Sequence, residues 1–527
     1  MRASAHPAAN PLIPIDPRAR GALQKQIYAG IRRAILEGAL RPGTRLMSSR
    51  ALAADLGVSR ITTLLALEQL QAEGYVTSRR GSGMFVAHEL PDDLPQLPTP
   101  ISKALATHPP LSHRGSELAT TPPASRRLPG PPRAFRLGAP AVDLFPRRVW
   151  TQITQRCLKS RAEAGSDLRQ RWVICVHTRR CLKSLPASAL DYGDPAGLPA
   201  LREAISAHVG AVRGTRCDAD QVFIVAGAAQ GLGLLCRLLL DPGDDVWLED
   251  PGYSGAHSAA LGAGARIHPV RVDEEGLDVA AGARTAPAAR LVFVTPSHQF
   301  PLGVTMSLPR RLALLRWASA ARAWVIEDDY DSEFRYSTHP IPCLHGLDAG
   351  ERVIYLDSFS KNLFPALRLG FVIVPKDLRH QLYTTRRAAE MHPPTVDQTV
   401  LAEFMQTGHF ERHIRRMRAV YRERLEALAA AAERWCGGVL HLRPVRTGLH
   451  AVADLGEADD ETVSREAAAR SVEVTPLSSY YAGDGPRVNG LVMGFSAVAP
   501  EALDRGMQQL AAAIEAAMRP RTRRQAE

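Results

Sequence analysis

Ser358-Phe359-Ser360-Lys361 lies between two apolar runs, Val353–Leu356 and Gly370–Val374. A lysine held among small hydroxyl residues at a strand end suits attack on an aldehyde, provided its amine first loses its proton. Upstream, the apolar run Ala323–Ile326 leads into Glu327-Asp328-Asp329-Tyr330. A carboxylate delivered by a buried strand can hold the proton of a heteroaromatic ring nitrogen, which makes such a ring an electron sink. Taken singly, neither signal decides. Most lysines at strand ends are solvated, and an acid there also reads as a helix cap or a sheet-end ion pair. Their company changes the reading. Tyr192-Gly193-Asp194-Pro195-Ala196-Gly197 with Leu201-Arg202 comes first, and then Ala226-Gly227-Ala228-Ala229-Gln230 opens a helix after a strand. Glu249-Asp250-Pro251-Gly252-Tyr253 and Thr295-Pro296-Ser297-His298-Gln299-Phe300-Pro301-Leu302-Gly303 follow, and Arg368 lies seven residues beyond the lysine.

The elements that position these residues are legible as apolar runs. Val222–Val225, Asp245–Leu248, Leu291–Val294, Ala323–Ile326, Val353–Leu356 and Gly370–Val374 alternate with helical periodicity from about 135 to 518. That alternation predicts an α/β domain with a largely parallel sheet. Residues 89–134 hold eleven prolines and little apolar periodicity, which predicts an extended, semi-flexible linker. No apolar run approaches the roughly 20 residues that span a bilayer, and the N-terminus lacks a signal-peptide pattern, so a cytoplasmic chain with no membrane partner is expected. The seven cysteines include no CxxC, so no metal site and no disulfide framework are expected.

The 65 basic and 54 acidic residues give a net charge of +11. Within residues 1–90 there are twelve basic and six acidic side chains, which fits either a solvated basic face or a polyanionic partner. Leu23, Ile27, Ile31 and Ile35 recur at helical spacing. Ser48-Ser49 cap a short helix over Arg50–Leu56, and after Gly57 a second helix begins at Ser59 and runs to about Glu73. This is a helix-turn-helix arrangement over 19–88, completed by strand Tyr75–Ser78, a basic glycine turn and strand Met84–Ala87, a wing suited to phosphate contacts. Separately, T-Q-R-C-L-K-S at 154–160 recurs as T-R-R-C-L-K-S at 178–184, and 147–184 holds ten basic and two acidic residues. That pattern reads as a surface insertion at 161–184.

Residues 21–87, with ILEGALRPGTRLMSSRALAADLGVSR and EGYVTSRRGSGMFVA, resemble the winged helix-turn-helix of GntR-type transcription regulators. The resemblance implies that Arg50, Ser59, Arg60 and Thr62 face DNA, with Arg80, Ser82 and Gly83 in the wing. This chain has Met47, Ile61 and Leu65 where the family usually has Pro, Asn and a polar or basic residue. The ordered motifs from about 140 to 515 resemble fold-type I pyridoxal-phosphate enzymes of the aspartate aminotransferase kind. With HQFPLGVTM and EDDYDSEFRY, the whole chain resembles the MocR subfamily of GntR-type regulators. The implied fold is a winged helix followed by an α/β fold-type I transferase-like domain over 135–518.

The resemblance implies pyridoxal 5'-phosphate as cofactor and assigns roles. Lys361 would form the internal aldimine as the catalytic residue, Asp328 would hold the pyridinium proton, and Tyr330 would bond the phenolic oxygen. Tyr253 would stack on the ring. Gly227, Ala228 and Ala229 begin a helix whose N–H groups suit a phosphate, joined by Arg368, Ser358 and Ser360. Phe300 replaces an Asn common in the enzymes, so one polar partner of the cofactor is missing or supplied by a neighbour such as Gln299. The stretch Asn489–Ser496 lacks the arginine that clamps a substrate carboxylate in aminotransferases, and Gly255 stands where a GABA-responsive relative is basic. Arg446 is one residue that could substitute. The expected function is a homodimeric regulator that binds a DNA operator and senses an amine, an amino acid or the cofactor. The alternative is an active aminotransferase with an accessory DNA-binding domain.

Overall fold

In the computed structural model, residues 23–79, 83–88, 90, 112–120, 131–163, 192–336, 342–348 and 352–519 are described. The chain divides into two compact units, Met1–Pro110 and Leu111–Glu527.

In the first unit, helix α1 (Leu23–Leu36) buries Ile27, Ile31 and Ile35, the residues whose spacing announced it. Helix α2 (Ser49–Asp55) is capped by Ser48, whose hydroxyl accepts from Ala51 N at 3.2 Å, and α3 (Arg60–Ala72) is capped by Ser59 in the same way. Such caps satisfy N–H groups that no helical carbonyl can reach and contribute about 1 kcal/mol each. Strands β1 (Val76–Arg79) and β2 (Gly83–Val86) pair antiparallel. Arg45 bridges to Phe85, which adds a third short edge to this wing. Leu52, Ala66, Leu67, Leu70, Tyr75 and Val86 close a small core with the three isoleucines.

The second unit is built on an eight-stranded sheet. Its strands are β3 (Val222–Val225), β4 (Asp245–Asp250), β5 (Arg266–Asp273), β6 (Gly276–Leu277), β7 (Leu291–Val294), β8 (Trp324–Asp328), β9 (Val353–Ser358) and β10 (Gly370–Ile373), in the order β3-β10-β9-β8-β7-β4-β5-β6. The β9, β8, β7, β4 and β5 pairings are parallel, as the alternating pattern predicts. Strand β10 departs from it and pairs antiparallel with both β9 and β3. The reason is length: Phe359–Leu369 is too short for a crossover, which takes a dozen or more residues, so the chain turns back beside β9. Every residue of β3, β7, β9 and β10 is buried, which accounts for their unbroken apolar runs.

A smaller antiparallel sheet follows, made of β11 (Leu440–Leu442), β12 (His450–Leu455), β13 (Thr475–Pro476) and β14 (Gly490–Gly494), ordered β11-β12-β14-β13. The helices His409–Cys436 and Asp460–Ala469 pack beside it, and Pro500–Met518 packs on both of them.

Among the described residues of the Pro-rich stretch 89–134, one segment differs from the expected extended form. His113–Thr120 is an eight-residue helix that packs on the helix Ser254–Ala263. Docking against a neighbour supplies what an eight-residue peptide lacks in isolation. The core also begins before 135, since Ala134 is buried beside Phe135. The insertion at 161–184 lies outside the described residues except for the helical end at 161–163, and the basic tail beyond 519 lies outside them altogether.

Gly197 shows how the Tyr192–Gly197 motif serves the fold. Its φ is +96°, and a Cβ there would stand 2.5 Å from Ile224 Cγ1. Gly197→Ala therefore combines a left-handed backbone with a core clash, and should destabilise the protein by about 2 kcal/mol. Calorimetry of wild type beside the variant checks this, and an unchanged unfolding midpoint would show that the position does not require glycine.

Candidate functional site

Two groups of predicted residues come together, one in each unit. In the first unit, Arg50 and Arg60 are exposed on α2 and α3. Ser59 is occupied as a cap, accepting from Thr62 N at 3.2 Å and sharing a 2.8 Å hydroxyl contact with Thr62. Its side chain therefore acts first on α3, not outward. Gly83 has φ +105°, and Arg45 lies over it, 3.4 Å from where a Cβ would be. Sequence reasoning did not single out Arg45; only the bridge to Phe85 brings it to the wing. Arg80 and Ser82 lie outside the described residues. Ile61, Leu64 and Leu65 are exposed on α3, so this helix shows an apolar strip beside its basic start.

In the second unit a cavity of about 290 Å³ opens at the carboxyl ends of the parallel strands, the usual ligand position in open α/β sheets. Ala228, Ala229, Tyr253, Asp328, Tyr330, Ser358, Ser360, Lys361 and Arg368 all line it. Gly227 sits just behind as the N-cap of the helix Ala228–Leu239. Strand ends dictate this convergence: β3 leads into Ala226–Ala229, β4 into Tyr253, β7 into Thr295, β8 ends at Asp328, and β9 leads into Lys361.

Lys361 Nζ donates to the Gly138 carbonyl at 3.0 Å. A Cβ on Gly138 would stand 2.3 Å from that nitrogen, so only glycine lets the strand-end lysine lie here. Asp328 is buried, and its Oδ1 has no hydrogen-bond partner. Leaving a buried acceptor unpaired costs about 1–3 kcal/mol. Burial pushes the Asp328 carboxyl up to about 8, with Asp329 and Asp331 adding to the rise and Lys361 opposing it. Arg368 Nη2 donates to the Ala226 carbonyl at 2.8 Å, and its guanidinium stands 3.4 Å from where a Cβ on Gly227 would be. Cation and helix N-terminus together form an anion cradle. Ser358 Oγ donates to Ser360 Oγ at 2.9 Å and accepts from Ser360 N at 3.2 Å. A Cβ on Gly255 would stand 2.3 Å from Tyr253 Cζ, so the Tyr253 ring occupies the space a side chain at 255 would need.

Several site residues were not assigned a role from sequence. Asp331, His450, Leu449, Gly138, Leu137 and Thr295 also line the cavity. His298 Nδ1 lies 3.0 Å from Asp331 Oδ1 and 3.2 Å from Tyr330 Oη. His298 and Asp331 fall inside motifs that sequence reading flagged, whereas His450 and Gly138 carry no local signal. Two expected substitutes are not at the cavity. Gln299 spends its amide on Glu249 Oε2 at 3.2 Å, Pro251 O at 2.9 Å and Phe300 O at 2.7 Å, holding the loop instead. Arg446 is exposed and does not line the cavity. Where an enzyme's carboxylate clamp was sought, Val492 of β14 joins a buried apolar cluster that packs on Phe300 and Leu137.

This geometry defines a winged-helix unit followed by an aminotransferase-like α/β unit of fold type I. Residues 23–86 match the bacterial regulatory proteins of the gntR family, and residues 177–505 match aminotransferase class I and II. The chain is 36% identical over 504 residues to the probable rhizopine catabolism regulatory protein MocR of Rhizobium meliloti, covering 95% of this chain and 96% of that one. It is 32% identical over 505 residues to the HTH-type transcriptional regulator TauR of Rhodobacter capsulatus, covering 95% and 98%. Among solved structures it matches LysN, an alpha-aminoadipate aminotransferase from Thermus thermophilus complexed with N-(5'-phosphopyridoxyl)-L-leucine. The TM-score is 0.62 at 27% identity, over 77% of this chain and 95% of that one. The chain therefore belongs to the gntR family of bacterial regulators, in the MocR-type subfamily that couples this winged helix to an aminotransferase class I and II domain. The aminotransferase class I and II family is pyridoxal-phosphate dependent. No helix among the described residues is long and apolar enough to cross a membrane.

The unpaired Asp328 carboxyl has a measurable consequence. Its folded-state value of about 8 lies above the ordinary 3.8, so across that interval the folded state holds a proton the unfolded chain has released. Stability must then fall as pH rises from about 4 to about 8. Protein stripped of small molecules should show this fall relative to Asp328→Asn when unfolding midpoints are compared across that range. Parallel curves would place the carboxyl in an ordinary environment.

Proposed function

We propose that this protein is a cytoplasmic, pyridoxal-phosphate-dependent transcription regulator whose aminotransferase-like unit senses a small amine. One observation carries the reading: in a chain with a GntR-type winged helix, Lys361, the unpaired Asp328 and the Arg368 cradle converge on a single cavity. The donor set fits the cofactor. Asp328 would accept a hydrogen bond from the protonated ring nitrogen, which satisfies the acceptor that burial leaves unpaired. Arg368 and the first N–H groups at Gly227, Ala228 and Ala229 would hold the phosphate, with Ser358 and Ser360 beside them. Tyr253 would cover one ring face, and Tyr330 would donate to the phenolic oxygen. When bound, the cofactor supplies an aldehyde-level carbon at which one amine exchanges for another without oxidation or reduction. Lys361 would be the resident amine.

The fold-type I relationship supports a dimer, in which two winged helices per particle would read repeated half-sites in the operator. Arg50 and Arg60 would contact phosphate or base edges, with Arg45, Arg80, Ser82 and Gly83 at the wing. An effector shifts such a regulator only by binding its two arrangements unequally. The apolar wall around Val492 disfavours an amino-acid substrate held by a carboxylate clamp, which supports sensing over turnover.

Two measurements test this. Protein supplied with pyridoxal phosphate should show a visible absorption band that borohydride bleaches while leaving the cofactor covalently attached, and Lys361→Ala should retain no attached cofactor after the same treatment. A wild-type protein that stays colourless would overturn the cofactor assignment. Against DNA selected by the wild-type protein from a random-sequence pool, Arg60→Ala should bind several-fold more weakly and lower the salt slope by about one. An unchanged affinity and slope would remove Arg60 from the interface.

A further inference from the structure

We infer that the Lys361 cavity selects a primary amine bearing hydroxyl or further amino groups and no carboxylate. This rests on the cofactor reading above and names the effector class that the walls of that site accept. Charge is the first argument. Among the described residues the cavity is lined by two cations, Lys361 and Arg368, and by two buried acids, Asp328 and Asp331. Lys361 and Asp328 are committed to the cofactor in that reading, and Arg368 faces the Gly227 helix end, where a phosphate belongs. Among the described residues of this chain neither cation is then left to pair with a ligand carboxylate, and Arg446 is not at the cavity.

What remains on the polar wall accepts hydrogen bonds. Asp331 is held by His298 Nδ1 at 3.0 Å and by Leu449 N at 3.1 Å. Burial alone would push its carboxyl up, but the His298 contacts outweigh that and hold it below the ordinary value. It therefore faces the cavity as a carboxylate. His450 Nε2 lies 3.0 Å from the Pro301 carbonyl, which can only accept, so Nε2 carries the proton and Nδ1 is an acceptor. Burial pushes His450 down to about 3, so this ring stays neutral. An anionic acceptor beside a neutral one attracts ammonium and hydroxyl groups and repels a carboxylate. Beside that wall Phe300, edge-on to the His450 ring at 5.6 Å, and Leu137, both backed by Val492, present apolar surface, which suits a carbon skeleton.

The test uses protein carrying pyridoxal phosphate and matched amines differing at one position: ethanolamine against glycine, serinol against serine, and butane-1,4-diamine against 4-aminobutyrate. Half-saturation is read from the visible absorption change and, independently, from the shift in thermal unfolding midpoint. The hydroxyl or diamine member of each pair should half-saturate at a concentration at least tenfold lower. Equal affinities, or preference for the acids, would overturn the inference while leaving the cofactor reading intact. Protein with no visible band would instead defeat the cofactor reading, and this inference with it. Asp331→Asn should narrow the ratio at least threefold, and an unchanged ratio would overturn the role of this wall. Should that variant fail to fold, the wild-type ratios decide alone.

Discussion

Glu327, Asp328, Asp329, Asp331 and Glu333 are all buried at the end of β8. Removing carboxylates from water this densely costs several kcal/mol apiece unless each finds a partner, and the larger unit is arranged to supply them. Glu327 accepts from Leu344 N at 2.8 Å and His345 N at 2.9 Å. Asp329 leaves its Oδ1 unpaired, but its Oδ2 lies 2.8 Å from Arg213 and accepts from the Tyr355 hydroxyl at 2.7 Å. Asp331 has His298, and Glu333 has His208 at 3.0 Å. Burial would raise Glu333, but His208 and Arg213 outweigh it and bring the carboxyl down to about 2. Asp328 has no donor to its Oδ1, and among the described residues no ion pair like that of Arg213 with Asp329 reaches it, although Lys361 opposes the rise of its carboxyl. By the rule that pairs its neighbours, this acid keeps an unsatisfied acceptor at the cavity.

Close backbone approach shapes the rest of the cavity. Gly138 lets Lys361 reach the 138 carbonyl, Gly255 makes room for the Tyr253 ring, and Gly448 leaves room for His298. A Cβ at 448 would stand 2.1 Å from the His298 ring and 2.6 Å from Asp331 Oδ2. These three glycines come from well-separated parts of the chain, yet each clears space for a different polar side chain. The cavity is therefore carved as much by absent side chains as by present ones. It joins an acceptor-rich wall to an apolar one.

Much of this was legible in the sequence because it depends on neighbours in the chain. Ser48 and Ser59 cap helices whose starts they mark, and an unbroken apolar run such as Leu291–Val294 cannot be anything but covered on both faces. Lys361, Asp328, Tyr253 and Arg368 lie at or just beyond strand ends, so the sheet brings them to one edge without further instruction. Gln299 misled for the opposite reason. Its position beside Phe300 suggested the cavity, but its amide is consumed by Glu249 and two backbone carbonyls, a fate set by side-chain direction.

The sequence by itself determined a winged helix, an α/β unit and a set of residues near strand ends that line one cavity, since local periodicity, caps and strand-end motifs encode those. Only the tertiary structure decided that β10 runs antiparallel, that His113–Thr120 forms a docked helix, that Arg213 pairs with Asp329 while Asp328 Oδ1 stays unpartnered, and that Asp331 and His450 meet at the cavity. Each of these is settled by contacts between segments apart in the chain. The free energy of a buried charge or a packed helix depends on what surrounds it, and that is fixed when distant segments meet.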